Sequence, residues 1–143
     1  MIMLRPAKPE DVAAIESCLT AAYATARAEL SDLPDVTGGI ASDVADNLVF
    51  AAEQGTALVG VIVLVERGDV LLIANLGVDP SHGGQGIGGR LLDLAEDEAR
   101  KLDCRELQLR THAGLTATRS MYLHLGWTEI EQSGDVVSMR KPL

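Results

Sequence analysis

The residues of this sequence with the plainest chemical purpose lie between positions 83 and 89. Gly83-Gly84-Gln85-Gly86-Ile87-Gly88-Gly89 holds five glycines in seven residues, against a usual share of about 7%. Glycine admits positive φ and lets the backbone approach a ligand closely. The helix that follows opens with unpaired N–H groups and a partial positive charge of about half an elementary unit. Together these make a phosphate site built from main chain, and between Pro80 and Leu92 the only Lys or Arg is Arg90. The plain alternative is a flexible turn whose small residues allow tight packing. Gly84 to Gly89 also satisfy Gly-x-Gly-x-x-Gly, the dinucleotide fingerprint. Two features oppose that reading: Asp79 to Gly83 intervene between strand and motif, and the next strand ends at Arg110-Thr111 with no acid to hold a ribose. No Gly-Lys-Ser or Gly-Lys-Thr follows, which excludes a Walker-type loop.

The remaining reactive side chains say less by themselves. Tyr122 is one of four aromatic residues and at helical spacing reads as a core or boundary residue. His82 precedes the glycines, within reach of a phosphate or a base, and His124 reads as a solvated helix residue. Cys18 and Cys104 have no Cys or His partner at metal-ligand spacing and no histidine placed to activate a thiol. Neither a metal site, a disulfide framework nor a thiol nucleophile is expected.

These residues need elements to position them. A strand over Met3 to Pro6 is followed by a helix from about Glu10 to Leu30, with Val12, Ile15, Leu19, Ala22, Ala26 and Leu30 on one face. Ser31 to Gly39 is turn chemistry, and Ile40 to Asn47 is a short second helix. Leu48 to Ala52 and Ala57 to Val65 form a hairpin around Glu53-Gln54-Gly55-Thr56, and Arg67-Gly68-Asp69 turns into Val70 to Val78. After the glycines a helix runs to about Lys101 on Ile87, Leu91, Ala95, Ala99 and Leu102, its solvated side carrying Glu96 with Arg100 and Asp97 with Lys101. Glu106 to Arg110 closes a right-handed parallel crossover. Thr116 N-caps a short helix ended by Gly126, and Trp127 to Ile130 and Val136 to Met139 pair around Ser133-Gly134-Asp135. The predicted order is βααβββαβαββ: an α/β (α+β) fold with a mixed, mostly antiparallel central sheet flanked by helices.

At 143 residues, 47% hydrophobic and 23% charged, the chain reads as one globular domain spanning 1–143, with no repeat or linker where a boundary can fall. Twelve Lys and Arg against 21 Asp and Glu give a formal net charge of -9, which repels polyanions and speaks against nucleic acid and anionic membranes as partners. The amino terminus lacks an apolar leader and no stretch is long enough to span a bilayer, so a soluble cytoplasmic protein is expected.

Residues Asn75-Leu76-Gly77-Val78-Asp79-Pro80-Ser81-His82-Gly83-Gly84-Gln85-Gly86-Ile87-Gly88-Gly89-Arg90-Leu91-Leu92 resemble the acetyl-CoA signature of the GNAT N-acetyltransferase superfamily. Met121-Tyr122-Leu123-His124-Leu125-Gly126-Trp127 is similar to that family's Leu-Tyr-x-x-x-Gly-Phe segment. The resemblance implies that the diphosphate of coenzyme A sits on main-chain N–H groups from Gly84 to Gly89, with Gly83 and Arg90 flanking them. The pantetheine arm pairs with Leu76, Gly77 and Val78. The Val78 N–H stabilises the oxyanion, a role in which one donor is worth about 3 kcal/mol, and Tyr122 protonates the departing thiolate.

The sequence also departs from the family. Gly83 stands where Gln or Arg is usual, Leu72 stands where some members carry a general-base glutamate and Ala74 holds no carboxylate either, and Leu115 and Thr118 occupy the candidate positions for the asparagine that many members carry. His112, Asp79, Glu29 and Asp32 are the water-linked candidates to take the acceptor's proton. Tyr23, Asp32, Asp35, Asn75 and His112 are candidates for acceptor binding. The reading is acetyl transfer from acetyl-CoA directly to an amine of a small molecule or peptide, with no metal and with homodimerisation open. A weak or inactive acyl-CoA-binding module is the alternative. The acidic surface favours a cationic amine.

Overall fold

The computed structural model describes residues 1–30 and 38–143. Its elements are β1 (Ile2–Pro6), α1 (Val12–Glu29), α2 (Ile40–Asp46), β2 (Leu48–Gln54), β3 (Ala57–Arg67), β4 (Val70–Val78), α3 (Ile87–Lys101), β5 (Glu106–His112), α4 (Thr116–His124), β6 (Thr128–Ser133) and β7 (Val136–Pro142), with 3-10 turns at Pro9–Asp11 and Pro80–His82. The order is the one read from the sequence. One seven-stranded sheet runs β1-β2-β3-β4-β5-β7-β6, antiparallel except where β4 lies parallel to β5. Residues 31–37, including most of the predicted turn and with it Asp32 and Asp35, lie outside the described residues. Among the described residues no helix is long and apolar enough to cross a membrane.

Helices cover both faces. Ile62, Leu64, Leu71, Ile73, Leu107 and Leu109 pack with Ile87, Leu91, Ala95 and Ala99 of α3. Val61 and Val63 face Ile15, Cys18 and Leu19 of α1 and Ile40 of α2. Burial on both faces explains why β3 is an unbroken apolar run from Val61 to Val65 rather than an alternating one. Two glycines let the helices close in. A Cβ at Gly60 would sit 2.9 Å from Ile87 Cγ2, and one at Gly77 would sit 2.8 Å from Leu19 Cδ2 and 3.1 Å from Ala22 Cβ.

Some details differ from expectation. Glu53 and Gln54 belong to β2, so the hairpin turn narrows to Gly55, at φ +64, and Thr56. Thr116 is the first helical residue of α4 instead of its cap; Leu115 precedes it and no side chain caps that end. Lys101 pairs with Glu98 at 3.4 Å and not with Asp97, which meets Arg100 at 3.7 Å, while the Glu96–Arg100 pair forms at 3.9 Å. Glu96 also takes Lys141 of β7 at 3.3 Å, so that turn of α3 is bound to the sheet.

The feature that positions the site is a register change in β4. Val63 pairs with Asn75 and Leu64 with Ile73, which leaves Ala74 as an extra residue. A bulge of this kind bends and twists its strand. On the other side the parallel ladder stops at Ile73 with Leu109, although β4 runs on to Val78 and β5 to His112. The sheet therefore splays open between β4 and β5.

Candidate active site

The splay is a cleft of about 340 Å³ floored by Ala74 to Val78 of β4 and Leu109 to Thr111 of β5, with Ala22, Tyr23 and Ala26 of α1 on one side and Thr118, Met121 and Tyr122 of α4 on the other. A contiguous cleft of about 300 Å³ shares Tyr23, Asn75, Arg110 and Thr111 and adds Arg27, His112 and Asp135. Two aromatic residues meet at the first cleft. Tyr122 is buried, its ring edge-on to Trp127 with centroids 5.4 Å apart and planes at 68°. Its hydroxyl has no hydrogen-bond partner among the described residues and is not sealed from solvent, so it is presented to the cleft. Burial, and after it the nearby Tyr23, raises the phenol above its ordinary pKa; it stays protonated throughout the neutral range. The Tyr23 hydroxyl donates to the Leu76 carbonyl at 3.0 Å, tying α1 to the open edge of β4, and burial raises its pKa too.

The glycine segment meets the cleft at its end, where Gly88 lies among the lining residues beside Val78. Gly84 and Gly86 sit at φ +78 and +74, the left-handed region that favours glycine, and a Cβ on either would meet nothing within 4 Å. Their freedom is needed by the chain path and leaves the surface bare. The Gly83 N–H is committed to the Pro80 carbonyl at 3.2 Å and the Arg90 N–H to Gly86 at 3.1 Å, but the N–H groups of Gly84, Gln85, Gly86, Ile87, Gly88 and Gly89 meet no acceptor among the described residues. Orphan donors at a helix start are an anion site. Ile87 anchors the segment from below, its side chain 2% exposed in the core.

Arg90 does not join this cradle: its guanidinium donates to the Ile2 carbonyl of β1 at 3.0 Å. His82 and Gln85 turn instead to Gln54 at the end of β2, which meets His82 Nδ1 at 2.9 Å and donates to Gln85 Oε1 at 3.2 Å. No sequence pattern pointed to Gln54, since 28 residues separate it from His82.

Candidates for a base fare differently. Asp79 accepts from the Ser81 N–H at 3.0 Å and hydroxyl at 2.8 Å, and the first of these bonds leads in lowering its pKa; it is a turn cap. His112 accepts the Gly114 N–H on Nδ1 at 2.9 Å. That bond favours the neutral ring with its proton on Nε2. Asp32 and the side chain of Glu29 lie outside what is described. Burial pushes the Cys18 thiol up to about 11, so it is no nucleophile. Among the described residues no group of His, Cys, Asp and Glu is arranged to hold a metal. Arg110 and Asp135 line the clefts and were missed: Arg110 ends an alternating strand, and Asp135 reads as plain turn chemistry.

The model of the acetyltransferase (GNAT) family matches residues 4–127. The chain belongs to that family. Its fold is that of solved GNAT enzymes at low identity. PaiA N-acetyltransferase from Thermoplasma acidophilum, in complex with coenzyme A, superposes with a TM-score of 0.90 at 20% identity, covering 100% of this chain and 99% of that one. The ribosomal-protein-S18-alanine N-acetyltransferase from Escherichia coli gives 0.82 at 22%, covering 99% and 94%. An acetyltransferase of the GNAT family from Staphylococcus aureus gives 0.82 at 15%, covering 100% and 99%. No curated protein matches the sequence. As a GNAT acetyltransferase the chain shares a family whose acyl donor is acetyl-CoA, and the fold and family implied by its two sequence blocks are those found.

Proposed function

We propose that the protein transfers the acetyl group of acetyl-CoA directly to an amine. The observation that carries this reading is the junction of three features in one cleft: an unpaired strand edge, a helix start with orphan donors, and a tyrosine hydroxyl without a partner. When bound, acetyl-CoA supplies an acetyl group activated by a thiol leaving group. The N–H groups of Gly84 to Gly89 bind its diphosphate, a duty for which their bare surface and positive φ are suited. The open edge at Leu76 to Val78 takes the pantetheine arm as a further strand. The Val78 N–H faces the carbonyl oxygen where negative charge develops. Tyr122 delivers its proton to the sulfur as the bond to carbon breaks. The acceptor's proton leaves through water, with Asp135 the acid that lines the acceptor-side cleft among the described residues.

Gly83 and the lack of a carboxylate at Leu72 and Ala74 favour a second reading, a CoA-binding module with little turnover. The two separate on one experiment. With acetyl-CoA and a broad panel of amines, the enzyme reading expects CoA release and an acetylated amine by mass spectrometry; binding with no release above buffer supports the module. Both readings place the protein in the cytoplasm, where acetyl-CoA is found.

A further inference from the structure

The chain has a surplus of carboxylates, and most of its arginines are bound to protein oxygen atoms. Arg5 holds Asp11 and Glu53, Arg105 holds Asp69 and Glu106, and Arg119 holds Glu129. Arg110 differs. It stands on β5 one residue beyond the end of the parallel ladder and is exposed, and its side chain makes no hydrogen bond or ion pair among the described residues. It lines both the splay and the contiguous acceptor-side cleft, where Arg27 of α1 joins it and Asp135 is the acid among the described lining residues. A cationic side chain facing a cleft of about 300 Å³, in a molecule of net charge -9, sets a local field opposite to the global one. That field decides what binds there, because surface charges more than about 10 Å away are screened.

We propose that the acceptor carries a carboxylate beside its reacting amine, as a free amino acid does, and that Arg110 holds that carboxylate. The guanidinium is a planar fork whose parallel N–H groups match a carboxylate's two oxygens. Arg110 touches both clefts, so an acid held on it lies next to the open β4 edge, where an amine one or two bonds away reaches the acetyl group. The same charge repels a polyamine, so the expectation of a purely cationic acceptor drawn from composition is replaced. This inference rests on the N-acetyltransferase reading for the direction of the amine.

Binding is tested first, by calorimetry of the chain, with and without saturating CoA, against N-acetylglycine and N-acetyl-L-leucine and their methylamides. The acids are expected to bind at least about tenfold more tightly than the amides. Arg110→Gln should bring the acids to the level of the amides, and Arg110→Lys should restore part of the difference. Acids and amides bound alike by the unaltered chain, or no acid bound at all, overturns the proposal without recourse to a variant. In turnover, the ratio of kcat/KM for L-leucine over 3-methylbutylamine should fall at least about tenfold in Arg110→Gln, through KM and not kcat; an unchanged ratio overturns it. If acids bind through Arg110 but no amine is acetylated, the N-acetyltransferase reading fails and the carboxylate site stands. If 3-methylbutylamine is the better acceptor in the unaltered protein, the reverse holds.

Discussion

Tyr122 is where the chemistry can be tested most cleanly. Its ring stays packed on Trp127 when the hydroxyl is removed, so Tyr122→Phe should fold and bind CoA within about twofold while kcat falls at least about a hundredfold, the lower end of what a positioned acid contributes. Steady-state kinetics beside calorimetry checks this, and equal kcat in the two proteins removes Tyr122 from the mechanism. Because burial raises the phenol's pKa, Tyr122 should add no alkaline limb to the rate profile below about pH 10. The residue was legible from its place in the Tyr-x-x-x-Gly block. Its neighbour Tyr23 was read as a candidate for acceptor binding, but its bond to the Leu76 carbonyl was not legible, because it joins residues 53 apart. His112 illustrates a different limit: its position at a strand end was readable, but the bond from Gly114 that favours one tautomer depends on a turn whose geometry no spacing records.

Among the elements, β4 carries most of the design. Its span from Val70 to Val78 and the helices on either side followed from apolar periodicity, and the mixed sheet followed from one crossover connection. An open edge at Leu76 to Val78 was implied by the family resemblance and not by periodicity, because the extra residue at Ala74 is visible only once the registers with β3 and β5 are known. Gly77 has a packing duty that its sequence reading omits. It was assigned to the cofactor edge, yet its missing side chain is what lets α1 lie against the strand. Gly77→Ala should therefore lower stability by about 1 to 3 kcal/mol, the usual cost of overpacking, seen as a reduced urea midpoint with an unchanged slope. Gly86→Ala meets no neighbour but must hold φ near +74, so about 1 to 2 kcal/mol of strain is expected. There the loss should appear in CoA affinity as well as in stability, since the same backbone carries the orphan donors.

At the scale of the whole molecule, one ion network fastens the first strand to the start of α1. Arg5 binds Asp11 through two nitrogens at 2.7 and 2.9 Å and Glu53 at 2.6 Å. The hydrogen bonds from Arg5 lead in lowering the Asp11 carboxyl to about 2, below the roughly 3.9 of an unfolded chain. A carboxylate depressed by folding adds stability that is complete above its unfolded pKa and disappears as pH falls through its folded one. The stability gap between the unaltered chain and Asp11→Asn should thus be widest above about pH 4 and close toward about pH 2, in chemical unfolding followed at a series of pH values. A gap that stays constant over that interval contradicts the assignment. Composition placed the chain among acidic globular proteins but could not reveal that its cleft carries Arg27 and Arg110, because net charge holds no information on where charges sit.

Ligand binding to the native state raises stability by about 2.7 kcal/mol at 100 times the dissociation constant, so acetyl-CoA at that excess should protect the fold and NAD should not. The most direct test of the account is calorimetric titration of acetyl-CoA into the pure folded chain, with NAD in a parallel run. A saturable isotherm with one site for acetyl-CoA and a flat trace for NAD is the result expected from a cradle of main-chain donors beside an open strand edge. A flat trace for acetyl-CoA would contradict it.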